Sequence, residues 1–61
     1  MNNFDLNQIV KGKRAGTFVI IGFREIGGEA GAQLKSVNPA NHAQVAPGEL
    51  WLPLDAICPL N

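Results

Sequence analysis

The stretch TFVIIGFREIGGEAGAQLKS, residues 17–36, decides the fold. Its first half is rich in β-branched and aromatic residues, which suit a pleated surface. Strict alternation places Val19, Ile21 and Phe23 on one face and Phe18 and Ile20 on the other. Both faces are apolar at the start, so the strand is expected to be central. Gly22 falls where a bend or bulge lets a small barrel curl. Arg24 and Glu25 then return the chain to water. Gly27 and Gly28 mark a tight turn, because glycine reaches positive φ at little steric cost. Beyond it, Ala30, Ala32 and Leu34 alternate with Gly31, Gln33 and Lys35, the pattern of a strand with one wet face. Two such strands joined by a short glycine turn predict an antiparallel hairpin.

Working outward, FDLNQIV at the N-terminal side reads as a single turn begun at Asp5, or as a short strand over residues 6–10. KGKRAG is a polar, glycine-containing loop. On the other side, NPANHAQVAPG is a loop with turns at Asn38-Pro39 and Pro47-Gly48, and with Val45 as its anchor. ELWLPL follows as a third long strand. Leu50, Leu52 and Leu54 share one face; Glu49, Trp51 and Pro53 share the other. Pro53 cannot donate a ladder hydrogen bond, so this strand ends there or lies at an edge. LDAI is short enough for a 3-10 turn stabilised by Asp55, and Cys58, Pro59 and Leu60 form a brief closing strand.

These elements predict an all-β fold. It is a small SH3-like barrel of about five short antiparallel strands, with a 3-10 turn near the C-terminus, formed as one domain over residues 1–61. A chain this short buries only about 60% of its unfolded surface. Small chains usually add disulfides, a metal or an oligomeric interface. One cysteine excludes an internal disulfide, and one histidine with one cysteine cannot alone make a four-ligand zinc site. A homo-oligomer or a well-packed core remains.

Five basic and five acidic residues cancel, so the chain lacks the broad positive field behind most nucleic-acid binding. The apolar content, 46%, is that of a folded core. The apolar run 18–21 is far too short to span a membrane, and MNNFDLNQ lacks the basic and apolar regions of a signal peptide. With a single thiol, this points to a reducing cytoplasmic setting.

Two segments resemble known families. VKGKRAGTFVIIG, residues 10–22, resembles KOW-type domains, in which a basic glycine loop precedes a Val/Ile-rich strand. That resemblance implies RNA or ribosome contact, although KOW domains carry more positive charge. WLPLDAICPLN, residues 51–61, is similar in layout to the C-terminus of plasmid-borne type II dihydrofolate reductases, SH3-like chains that assemble as tetramers around a shared pore. Trp51, Pro53, Leu54, Ala56 and Ile57 take comparable positions. That family's Gln-Ile-Tyr active-site segment is replaced here by Leu50, Trp51 and Leu52, and the chain has no tyrosine. The resemblance implies the fold and not the reductase activity.

No residue set reads as catalytic, cofactor-binding or metal-binding. Cys58 lies in an apolar segment with no basic neighbour to lower its pKa, and reads as structural. His42 sits in a polar loop and reads as solvated. Glu25, Glu29, Glu49 and Asp55 are scattered, without the pairing that acid–base chemistry needs. GGEAG lacks the Gly-Lys-Ser/Thr continuation of a phosphate-binding loop and reads as a turn.

Three functional readings follow. The first is a small non-catalytic protein-interaction module, an accessory or regulatory factor of bacterial, phage or plasmid type. It binds a protein partner, or itself, through Trp51 with Gln33 and Lys35 as neighbours; the alternative for Trp51 is a lid on the core packed on Phe4 or Pro53. The second is a nucleic-acid-binding module using Lys11, Lys13, Arg14 and Arg24, with Trp51 or Phe23 as a stacking platform. The plainer reading of that cluster is a solvated loop. The third is one subunit of an oligomeric pore-type enzyme.

Overall fold

A computed structural model describes residues 4–45 and 47–60. Met1, Asn2 and Asn3 of the segment read for export signals, Ala46 of the long loop and Asn61 lie outside the described residues. The described residues form five strands, β1 (Ile9–Gly12), β2 (Thr17–Ile26), β3 (Glu29–Ser36), β4 (Leu50–Pro53) and β5 (Ile57–Pro59), with a 3-10 turn at Leu54–Ala56. All pairings are antiparallel, in the order β4-β3-β2-β1-β5. The all-β class and the position of the 3-10 turn are as the sequence predicts. Among the described residues, no helix is long and apolar enough to cross a membrane.

The sheet is open where a barrel was expected. β4 and β5 form its two edges, and only the 3-10 turn joins them. It nevertheless curls, because residues from both ends meet in one core. Val10, Phe18, Ile20, Ala32, Leu34 and Ile57 are buried together, with Leu50, Leu52 and Leu54 packed against them. Val37 is also buried. Both edges are short and carry a proline, a combination that discourages edge-to-edge aggregation.

The bend sits in β2. Ile20 pairs with Leu34 and Gly22 with Gln33, so Ile21 is an extra residue in the ladder. This corrects the simple alternation. Phe23 stands opposite Ala32 and so shares the face of Phe18 and Ile20, not that of Val19. It lies beyond the end of the core and is 43% exposed. Gly27 and Gly28 close the β2–β3 hairpin at φ 61° and 81°, the positive pair that a two-residue type I′ turn requires.

Other boundaries shift by a residue or two. Lys11 and Gly12 belong to β1, leaving residues 13–16 as the β1–β2 loop. Before β1, the Gln8 N–H reaches the Asp5 carbonyl (3.2 Å), while the Gln8 side-chain oxygen accepts from the Asp5 N–H (2.8 Å). The turn is there, closed by Gln8 and not capped by the Asp5 carboxylate. The 3-10 turn likewise has no side-chain cap; Asp55 is exposed within its first turn. The long loop is held by its backbone, through the Val37–Gln44 bridge and the Val45 N–H on the Ser36 carbonyl (3.3 Å). The Val45 side chain anchors nothing, being 59% exposed.

Candidate binding surfaces

Trp51 is neither a core plug nor a lid over the end of the sheet. It stands opposite Gln33 on the outer face, as the β4 alternation implies. From there its indole lies across Gly31 of β3 and donates Nε1–H to the Arg24 carbonyl of β2 at 3.0 Å. Any side chain at position 31 would run into the ring. Gly31 is buried beneath it, although it faces outward, and Trp51 itself is half-buried. One side chain thus ties three strands together.

Gln33 and Lys35 share this face, and both are half-buried. Oε1 of Gln33 is buried without a hydrogen-bond partner. Lys35 stands opposite Val19. The predicted neighbours of Trp51 are therefore on its face, with Gln33 directly across from it.

The four cations of the proposed basic cluster separate into two groups. Lys11 stands between Thr17 and Cys58, and Arg24 opposite Gly31, both on the outer face. Lys13 and Arg14 lie in the β1–β2 loop. All four are exposed. Glu29 shares the outer face with Lys11, Arg24 and Lys35, which dilutes the positive field there.

Lys13 and Arg14 instead border a groove that the sequence did not reveal. Lys13, Arg14 and Ala15 line one side, Leu50 and Leu52 of β4 the other, and Phe18 the floor, around a cavity of about 240 Å³. It occupies the seam between the loop and the edge strand. The loop is fixed at that seam by two backbone hydrogen bonds, Gly12 N–H to the Gly16 carbonyl (3.0 Å) and Lys13 N–H to the Ala56 carbonyl (2.9 Å). Gly16 lets the floor form. Its φ is +96°, and an added Cβ would stand 2.6 Å from the Phe18 ring.

The groove reaches the core itself. Phe18 is a core residue, and Leu50 and Leu52 pack on the core while remaining half-buried. The lining holds two cations and no acid. Among the described residues, neither Lys13 nor Arg14 makes an ion pair. The sequence signal for this site was the Lys13–Arg14 pair in a glycine loop; its floor, Phe18, follows close behind, but its far wall, Leu50 and Leu52, comes from a strand more than thirty residues away in the chain.

His42 and Cys58 lie in separate elements. His42 is exposed at φ 60°, its N–H bonded to the Asn38 carbonyl (2.7 Å) in a loop shaped by Asn38 and Asn41 side chains. Cys58 is half-buried, with its thiol on the Lys11 carbonyl at 3.7 Å. Among the described residues, no group of three or more His, Cys, Asp or Glu side chains is placed to hold a metal ion. No protein-family model, curated protein or solved structure matches the chain.

Proposed function

We propose that this chain is a small non-catalytic protein-binding module of SH3-like type, an accessory or regulatory factor that acts by occupying a partner. The groove between the β1–β2 loop and β4 is its docking surface. One observation carries this reading: the core is left open at the groove, where Phe18, Leu50 and Leu52 meet Lys13 and Arg14. An apolar group seated there completes the burial of β4, and burial of apolar area is the main source of interface free energy. The role first expected of Trp51 becomes secondary, because its N–H and one ring face are already used within the chain.

The test is a pull-down comparing the wild type with Ala15→Glu, an exposed loop substitution that crowds the groove and lowers the positive charge of its rim. Folding of both proteins is checked by circular dichroism. A partner held by the wild type and released by Ala15→Glu supports the reading. An unchanged set of partners refutes it.

A second reading, nucleic-acid binding on the outer face, has one observation in its favour: Lys11, Arg24 and Lys35 share that face with Trp51. It predicts oligonucleotide affinity that falls steeply with salt. No binding at low salt would remove it.

A further inference from the structure

The geometry points to a specific occupant for the groove: an extended acidic segment of a protein partner, with one leucine- or phenylalanine-sized side chain inserted between the β1–β2 loop and β4. This deepens the protein-binding reading above and rests on it.

The size of the cavity sets the inserted group. About 240 Å³ exceeds the roughly 150 Å³ cavity that accepts benzene. It is below the lower end, about 300 Å³, of sites that enclose a drug-sized ligand. There is room for one ring or one branched aliphatic group, so the rest of the occupant lies outside. The floor and one wall, Phe18, Leu50 and Leu52, require that group to be apolar.

Charge sets the flanking residues. Lys13 and Arg14 are exposed at the rim with no ion pair among the described residues, so an incoming carboxylate displaces no internal partner. The nearest acids in sequence do not compete within the lining. Glu49 precedes β4 and is exposed, and Asp55 is exposed on the 3-10 turn. They favour the occupant's carboxylates on the Lys13–Arg14 side and disfavour them at the β4 end.

The edge sets the backbone. β4 pairs with β3 along one side and with no strand along the other. A peptide lying in the seam can take its main-chain hydrogen bonds from that free edge, the mode in which a ligand adds a strand to a sheet. Pro53 has no N–H, so the donors for such pairing come from whichever alternate residues of 50–52 turn their N–H away from β3.

The test uses the full chain, isotope-labelled for NMR, and short capped peptides. The first has one phenylalanine between glutamates; the second replaces phenylalanine by alanine; the third replaces the glutamates by lysines. The first should shift resonances of Ala15, Phe18, Leu50 and Leu52, and salt should weaken it. The second and third should bind at least about tenfold more weakly, a difference of roughly 1.4 kcal/mol. The double variant Lys13→Glu, Arg14→Glu changes only exposed loop positions and should exchange the preference between the first and third peptides.

Equal groove binding of the acidic and basic peptides overturns the proposal. So do shifts centred on Lys11, Arg24 and Lys35, or no shifts with any peptide. If the occupant is wrong but Ala15→Glu still releases a partner, the docking surface stands and only its ligand chemistry falls. If Ala15→Glu also releases nothing, the binding reading itself fails.

Discussion

The indole N–H of Trp51 reaches the Arg24 carbonyl at 3.0 Å by crossing the bare backbone of Gly31. Donor and acceptor are on strands that do not pair with each other; Gly31 is on the strand between them. The arrangement is available because position 31 has no Cβ. Gly31→Ala should displace the ring and destabilise the protein by about 1–3 kcal/mol, the usual cost of overpacking. Urea denaturation measures the loss. Because Trp51 is the only tryptophan, a red-shifted native emission would show that the ring has moved. Unchanged stability and emission would contradict the arrangement.

Trp51→Phe separates the ring from its hydrogen bond. The bond is exposed, so the Arg24 carbonyl left behind can turn to water. The expected loss is about 0.5–1.5 kcal/mol, with retention of the groove partner. Loss of the partner by a normally folded Trp51→Phe would return the docking surface to the outer face.

Gln33 gives a prediction of opposite sign. Its Oε1 is buried without a partner, and such a group typically costs about 1–3 kcal/mol. Gln33→Met keeps the length of the side chain and removes the orphaned acceptor. It should stabilise the fold. A gain of about 1 kcal/mol raises the midpoint of a domain this small by roughly 4–8 °C. A lower melting temperature would show that Gln33 is satisfied in solution.

The core and the hairpin tip should respond very differently to truncation. Leu34 is fully buried, whereas Ile26 is 43% exposed. Leu34→Ala should cost about 2–5 kcal/mol, a large share of the roughly 3–9 kcal/mol expected for a chain of this length. Ile26→Ser should stay within about 0.5 kcal/mol. Parallel denaturation curves test the contrast, and comparable losses at the two sites would contradict the assigned burial.

Much of the strand plan is legible because it is local. TFVIIGFREI reads as a strand from composition, and β2 spans those residues. The glycine pair marks the hairpin, and Leu50, Leu52 and the ending Pro53 mark β4, while Leu54, read into the strand, opens the 3-10 turn. Period-two alternation also points Trp51 away from Leu50 and Leu52. What Trp51 does there is not local. It depends on the β3–β4 register and on a glycine diagonally across from it. The groove is less legible still. Its two cations stand out in the sequence, but its floor and far wall exist only once the sheet has curled without closing. Before the fold is known, the same cations look like one cluster with Lys11 and Arg24; pairing divides them between a seam and a face.

Ile21 shows how little sequence such a fold needs to acquire its shape. Counting along β2 without it, inward and outward positions alternate regularly from Phe18 to Arg24. The residue therefore carries no information about which side chains face in. What it adds is a bulge, with its local bend and extra twist. Deleting it would leave its neighbours facing as they do now and straighten the ribbon. That would draw the leucines of β4 away from Val10 and Ile57 and widen the seam. In this chain, inside versus outside and the local bend of β2 are separately editable instructions, and the extra residue bears on the second alone.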